Sequence, residues 1–180
     1  VYSSTNGFAN ERFNDEHAMA AGKEPLEFRK AHLGGEKGER YIAVLDKLEE
    51  LTGWKNKKKN DGWGIAITEC FSSIVGEAVK VIKNADGKLK IEKVFAVMDC
   101  GWYVNPDIIR AQVEGSVIMA YGAAAVHETH FNDGKAVETN FHQYRMPRIN
   151  DLPEIEVHIM ENDEKPGGVG EPGLPPFAPA

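Results

Sequence analysis

The sequence contains few cysteines, no excess of basic residues and no long apolar run. Its two cysteines, Cys70 and Cys100, lack the CxxC spacing of zinc sites and are too few for a disulfide scaffold, so we expect buried free thiols. The net charge of −7 argues against nucleic acid as the main partner. No apolar run approaches the roughly 20 residues that a membrane span needs, so we expect no membrane span.

The length of 180 residues suits one domain, because domains commonly have about 100 to 200 residues. Residues 1–52 have the pattern of a helical N-terminal segment, and residues 63–180 that of an α+β domain, with a polar connector between them. One compact unit is the favoured arrangement, and two lobes are the alternative. The chain starts without a charged and apolar leader and stops just after a Pro-rich run, so we expect it to be part of a longer protein.

Helical spacing of apolar residues dominates the first third of the chain. Residues 8–21 give the first predicted helix, Pro25 suits the first turn of the second, and residues 39–51 give the third. The pattern then changes to alternation over residues 64–81, which predicts strand structure with Gly76 as a candidate bulge.

Asp86-Gly87 predicts a hairpin turn between this strand and the next. The second strand ends in residues 94–98, which are apolar on both faces, so we expect it to be central in the sheet. Pairing about this turn would bring Cys70 near Cys100, and a disulfide is therefore the alternative to free thiols. A second hairpin near residues 132–134 and strict alternation over 155–159 complete an α+β pattern, with a mixed or mostly antiparallel sheet packed against helices.

A long helix is predicted after Asn105-Pro106-Asp107, which supply a cap, a proline for the first turn and an early acid. This helix runs to about Val126 and is apolar almost all round, so we expect it to be buried. One stripe differs, because it places an amide among residues that allow close approach to the backbone: Gln112, Gly115, Met119 and Gly122. Periodicity alone favours simple packing of this stripe on a sheet, and a ligand site is the alternative.

The Pro- and Gly-rich segment 166–179 contains one ionisable residue, Glu171, between Gly170 and Pro172. Glycine leaves room for a close neighbour and proline fixes φ, so the carboxylate lies on an irregular but partly stiffened loop. Two interpretations are open from the residues alone: a solvated turn residue, which is the commoner case, or a positioned base.

Several separated motifs span nearly the whole chain, in this order: Asn6-Gly7-Phe8-Ala9, the run from Ala20 to Arg29, Asp99-Cys100-Gly101, Val104-Asn105-Pro106-Asp107, Ala111-Gln112-Val113-Glu114-Gly115, Asn140-Phe141-His142, and Pro166 to Gly173. Together they resemble the molybdenum-binding large subunit of the xanthine dehydrogenase/aldehyde oxidase family, and within it the isoquinoline 1-oxidoreductase β-subunit branch. The Gly170-Glu171-Pro172-Gly173 element is the most specific of them.

This resemblance implies hydroxylation of an electron-poor carbon in an N-heteroaromatic compound or an aldehyde, with water as the oxygen source. It implies that Glu171 is the general base, and that Gln112, Gly115 and Gly170 contribute to the binding of a molybdopterin cytosine dinucleotide that carries molybdenum, with Gln112 hydrogen-bonded to the pterin. Physically, such a base must be a carboxylate that is partly desolvated and held still. The expected partners are a small [2Fe-2S] subunit, the remainder of the large subunit and a small-molecule substrate.

The chain also departs from the family pattern, because the Gly-Gln-Gly cofactor motif and the other pterin-binding loops of the large subunit are absent from it. We therefore expect a C-terminal portion of the large subunit that neither holds the cofactor nor turns over by itself. The alternative from another class is a non-catalytic binding or assembly domain, in which Glu171 is an ordinary loop residue. No metal ligand is predicted in this chain.

Overall fold

The computed structural model describes residues 2–57 and 61–180. The connector's residues 58–60 and Val1 lie outside the described residues. The described part has the predicted α+β fold, which is thereby confirmed. Its helices are α1 (Tyr2–Ala20), α2 (Pro25–His32), α3 (Gly38–Thr52) and α4 (Pro106–Tyr121). Its strands are β1 (Trp63–Cys70), β2 (Ser73–Lys83), β3 (Leu89–Asp99), β4 (Phe131–Asn132), β5 (Lys135–Ala136) and β6 (Glu154–Ile159).

The main sheet is mixed and has the strand order β1-β2-β3-β6. Strands β1 to β3 pair antiparallel, whereas β6 pairs parallel to β3. The predicted turn at Asp86-Gly87 joins β2 to β3, and β3 is central, as its apolar faces indicated. The second predicted hairpin exists as β4 and β5, with two residues in each strand.

The predicted strand over 64–81 is in fact two strands, joined by a tight turn at Phe71 and Ser72. Both turn residues have positive φ, 52° and 65°. The prediction of a bulge at Gly76 was wrong, because the register shifts between Lys80 and Val81 instead. Gly76 allows close packing of α3, since a Cβ there would lie 2.7 Å from Leu48 Cδ1. Its lack of a side chain therefore serves the contact between helix and sheet.

Two apolar layers form on the two faces of the sheet. Helix α3 covers one face, where the fully buried side chains include Val44, Leu45, Leu48, Ile65, Ile74 and Val97. Helix α4 covers the other face, where its Val113 and Val117 are fully buried. The helix predicted from the apolar spacing over residues 39–51 thus corresponds to α3.

The prediction that α4 is buried all round was wrong. Its outer face is open in the described part of the chain, and Ile108 and Met119 are 62% and 63% exposed. The stripe at Gln112 and Gly115 lies on this open face, so packing on the sheet does not explain it. After Tyr121 the helix widens into a π-turn, Gly122–Val126, which ends where the sequence predicted. Gly122 there packs against the ring of His127.

Both cysteines are buried and free. The thiol of Cys70 donates a hydrogen bond to Ser3 Oγ at 3.2 Å. Burial raises the pKa of the Cys100 thiol. Within residues 2–57 and 61–180, each helix is too short or too polar to cross a membrane.

Candidate functional site

The loop that carries Glu171 is fixed at its start to the strand ends and to the turn between β1 and β2. The Gly167 amide donates to the Cys100 carbonyl at 2.8 Å, and the Gly168 amide donates to the Phe71 carbonyl at 2.8 Å. In return, the Ser73 hydroxyl donates to the Gly168 carbonyl at 2.7 Å. These bonds from three separate elements hold the loop against the sheet just before Glu171.

The paired glycines of this loop are required by close packing. A Cβ at Gly167 would lie 2.9 Å from the backbone carbonyl carbon of Ser72, and one at Gly168 would lie 2.7 Å from Phe71 Cβ. Real Cβ atoms do not approach neighbours so closely, so any side chain at either position would push the loop off the turn. The two glycines thus set the position of the loop.

The loop then passes over α4, where Gly170, the residue directly before Glu171, lies close to Gln112 and Ser116. The Ser116 hydroxyl lies 3.4 Å from the Gly170 carbonyl, in hydrogen-bond contact with it. A Cβ at Gly170 would lie 3.6 Å from Gln112 Nε2, so the amide reaches the backbone of the residue directly before Glu171. Gly115 lies further along the same exposed stripe, with open space around its Cα. Gln112 and Gly170 therefore lie next to each other, on the face of α4 that also carries Gly115.

Glu171 itself lines a cavity of about 200 Å³ between the loop, β1 and the start of α1. The other lining residues are Ser3, Ser4, Cys70, Leu174 and Pro175. The carboxylate is exposed, whereas a general base is expected to be partly desolvated. Ser3 and Ser4 of α1 were not predicted to lie at the site, because neither periodicity nor a motif links them to Glu171.

A buried ion pair anchors the end of β3, beside the loop. Asp99 accepts from Arg40 Nε at 2.8 Å and Nη2 at 2.7 Å, which ties β3 to α3. It also accepts from Asn162 Nδ2 at 2.9 Å and from the Gly101 amide at 3.1 Å. Burial alone would raise the pKa of this carboxyl, but the hydrogen bonds from Arg40, Asn162 and Gly101 hold it below its usual value. Asp99 was part of a sequence motif, yet its ionic partner could not be read from the sequence.

The polar aromatic residues Asn140-Phe141-His142 lie exposed in a turn after β5, with the Phe141 side chain 95% exposed. Within residues 2–57 and 61–180, the structure groups no three His, Cys, Asp or Glu side chains in a way that could hold a metal ion. The site on this chain is therefore one of a carboxylate, an amide and exposed glycine backbone rather than a set of metal ligands.

Residues 75–153 match the model of the molybdopterin cofactor-binding domain. Over 178 residues, which are 96% of this chain and 22% of the relative, the sequence is 30% identical to the isoquinoline 1-oxidoreductase subunit beta of Brevundimonas diminuta. The chain belongs to the xanthine dehydrogenase/aldehyde oxidase family. The resemblance seen in the sequence motifs is thereby confirmed, including its similarity to the isoquinoline 1-oxidoreductase branch.

Other proteins are similar to this chain over shorter stretches. The aldehyde oxidoreductase molybdenum-binding subunit PaoC of Escherichia coli K12 is 32% identical over 112 residues, which are 57% of this chain and 15% of that subunit. The reconstituted CO dehydrogenase from Oligotropha carboxidovorans has the same fold over 59% of this chain and 14% of its own, with a TM-score of 0.52 and 23% identity. The chain thus spans about a fifth of the length of the isoquinoline 1-oxidoreductase subunit that it matches.

Proposed function

We propose that the complete protein is a molybdenum hydroxylase that oxidises N-heteroaromatic compounds or aldehydes with water as the oxygen donor. This chain contributes the general base Glu171 and part of the pterin cleft. The observation that carries the proposal is the contact between the loop and α4, where the backbone of Gly170, the residue directly before Glu171, lies next to the Gln112 amide on an open surface. The names of two relatives, an isoquinoline oxidoreductase and an aldehyde oxidoreductase, support both substrate classes.

The open stripe on α4 fits one edge of a pterin. Gln112 offers an amide donor and acceptor, and the bare backbone at Gly115 and Gly170 allows a flat ring to approach. We therefore assign Gln112, Gly115 and Gly170 to contact with a molybdopterin cytosine dinucleotide. When bound, the molybdenum cofactor supplies the two-electron acceptor for hydroxylation of carbon. The ligands of the metal are not assigned to side chains of this chain.

Glu171 would act by taking the proton from the hydroxyl that attacks the substrate carbon. The loop bonds at Gly167 and Gly168 hold the backbone on one side of it, and Pro172 is buried directly after it. A fixed backbone limits the positions that the carboxylate can take, as a base aimed at one proton requires. The remainder of the large subunit would cover the open side and exclude water from the carboxylate.

Electrons would then leave through a small [2Fe-2S] subunit. The second candidate function is a non-catalytic binding or assembly domain, and the exposure of Glu171 is the observation that favours it. Both candidates place a partner on the open face of α4, so they differ in chemistry rather than in the surface used.

An isotope experiment on the complete protein separates the two candidates. The protein is incubated in H₂¹⁸O with a panel of N-heteroaromatic compounds and aldehydes, together with an artificial electron acceptor. We expect ¹⁸O in a hydroxylated product or carboxylic acid, measured by mass spectrometry against a reaction in ordinary water. A cofactor-loaded protein that hydroxylates no member of the panel, or that inserts oxygen from O₂ instead, would contradict the proposal.

The described chain alone is expected to bind the cofactor poorly and to have no turnover. The open stripe offers contacts to one side of a pterin only, and the chain corresponds to about a fifth of the relative's length. Metal analysis of the purified chain, expressed in a host that makes the cofactor, should give far less than one molybdenum per chain. Stoichiometric molybdenum would contradict this expectation.

A further inference from the structure

A buried glutamate lies in the core on the α4 side of the sheet. Glu77, on β2, is 0% exposed, and neither of its carboxyl oxygens has a hydrogen-bond partner in the described part of the protein. The hydroxyl of Thr68, on β1, is also buried without such a partner. Unpartnered buried polar groups are rare in folded proteins, so two of them close together call for an explanation.

The two side chains lie on the same face of the sheet. Glu77 pairs across the strands with Ala66, and Thr68 pairs with Val75, so Thr68 is the diagonal neighbour of Glu77 on that face. The neighbours of Glu77 along β2 on this face, Val75 and Val79, belong to the apolar clusters beneath α4. Glu77 therefore interrupts an otherwise apolar layer.

The end of the chain covers this part of the layer. A Cβ at Gly64 would lie 2.9 Å from the Ala180 carbonyl carbon, so Ala180 lies directly over the start of β1. Both Pro175 Cβ and Thr68 Cγ2 would contact a Cβ at Gly7, at 3.3 Å and 3.0 Å, so Pro175 lies near Thr68. Residues 175–180 thus cross β1 from Thr68 to Gly64, over the row that Glu77 shares with Ala66.

An ionised Glu77 carboxylate would be unstable at this buried position without a hydrogen-bond donor or a positive charge beside it. Burial raises the pKa of the Glu77 carboxyl well above its usual value, and it is the one cause of the shift. The groups that share this face or cover it are apolar or uncharged: Ala66 and Thr68 on β1, Ala96 on β3, Val113, Ser116 and Val117 on α4, and Pro175 and Phe177 in the loop. The titratable groups on the other positions of β1, β2, β3 and α4 are Glu69, Cys70, Lys80, Lys83, Lys90, Glu92, Lys93, Asp99, Asp107, Arg110, Glu114 and Tyr121. Glu11 on α1 and Glu171 in the loop are the carboxyl groups on the neighbouring segments.

We propose that Glu77, in its uncharged form, is a positioning residue for the loop that carries Glu171, and that with Thr68 it holds a buried water beneath residues 175–180. A protonated carboxyl and a hydroxyl together offer the donors and acceptors that such a water needs. Residues 175–180, which cover this part of the layer, begin four positions after Glu171 in the sequence, so the uncharged carboxyl group supports the packing of that loop on the sheet. This inference rests on the proposed function for the importance of the loop, but it concerns how the loop is held on the sheet and not the reaction.

Opening of residues 175–180 should therefore be coupled to ionisation of the Glu77 carboxyl. When residues 175–180 lift, Glu77 meets water and its carboxyl ionises as in an unfolded chain, near pH 4.3. Between that pH and the higher pKa of the closed form, the closed form binds more protons than the open form. The equilibrium constant for opening should therefore rise about tenfold per pH unit in this range, so the loop is held best in acid and less well as the pH rises.

Amide hydrogen exchange measured by NMR on the isolated chain tests this coupling. The amides of Leu174 and Ala180 form hydrogen bonds inside the loop, to the Glu171 and Pro176 carbonyls. Their protection factors, corrected for intrinsic exchange, should fall by about tenfold per unit in the wild type as the pH rises above about 5.5 toward the pKa of Glu77 in the closed form. In Glu77→Gln, which is uncharged at every pH, they should be independent of pH. The matched control Glu92→Gln removes an exposed carboxylate from β3 and should keep the wild-type slope.

Two further comparisons make the test decisive. Thr68→Val removes one hydroxyl at nearly constant shape and should lower loop protection about two- to tenfold at every pH, with the slope unchanged. Equal slopes in the wild type and in Glu77→Gln would overturn the positioning role, and no effect of Thr68→Val would overturn the shared water. An equal slope for core amides of β3 and for the loop would show that Glu77 acts on global stability, and this too would overturn the proposal. Each of these results is independent of whether Glu171 proves to be the base.

Discussion

Glu171→Gln in the complete large subunit is expected to lower kcat by about 10²- to 10⁴-fold, which is the range for loss of a positioned general base. Glutamine has almost the same shape as glutamate but cannot accept the proton from the attacking hydroxyl. The Glu171 side chain is exposed, whereas the loop is held by backbone contacts of Gly167, Gly168 and Gly170. Fold and cofactor content should therefore be unchanged.

Steady-state kinetics, molybdenum analysis and circular dichroism on the same preparations measure this effect. Glu161→Gln is the matched control, because Glu161 is an exposed glutamate in the segment between β6 and the loop. It should retain wild-type turnover. If Glu171→Gln kept more than a tenth of the activity at full molybdenum content, Glu171 would not be the base, and the assembly-domain alternative would be favoured.

Local signals explain which parts of the fold could be predicted. The apolar spacing over residues 39–51 predicted α3, and Asp86-Gly87 predicted the turn between β2 and β3. Asn105 was predicted to cap α4, and its Oδ1 accepts from the Asp107 amide at 3.0 Å. In each case the information lies within a few neighbouring residues, so tertiary contacts are not needed to interpret it.

The errors occurred where the fold depends on distant contacts. Phe71 and Ser72 make a turn with positive φ although neither residue is a usual choice for it, so β1 and β2 were taken as one run. A glycine in a strand indicates either a bulge or a close neighbour, and only the position of α3 shows that Gly76 serves the second purpose. The apolar pattern of α4 likewise cannot distinguish a face buried in its own chain from a face left open for another part of the protein.

The candidate site shows the same limit. The residues alone left Glu171 and Gln112 with two interpretations each, and the family resemblance favoured the functional one. What sequence patterns could not supply is their proximity, since they lie on separate elements far apart in the chain. The contact of Gly170 with Gln112 and Ser116 depends on how the loop crosses α4. The burial of Glu77 could not be predicted either, because a glutamate in an alternating strand normally lies on the solvent side.

Asp99→Ala is expected to lower the free energy of unfolding by roughly 3 kcal/mol at neutral pH, as is typical when one partner of a buried ion pair is removed. The Asp99 and Arg40 side chains are 4% and 17% exposed, and the substitution would leave the guanidinium without its carboxylate. It would also remove the acceptor for Asn162 and for the Gly101 amide, which organise the chain entering the Glu171 loop. The free energy of unfolding should therefore fall, and the Glu171 loop should be held less firmly.

The pH dependence of this loss identifies its cause. Because the pKa of Asp99 is lowered in the folded state, its stabilisation is fully present above the unfolded value of about 3.9 and is lost as the pH falls through the folded value. Urea unfolding should thus show a large difference between wild type and Asp99→Ala at pH 7 that shrinks below about pH 3.5. Asp46→Ala removes an aspartate that is 58% exposed and pairs with Lys30, so it should cost at most about 1 kcal/mol. Equal losses in the two variants, or a difference for Asp99→Ala that stays constant into acid, would show that the ion pair with Arg40 does not anchor the end of β3.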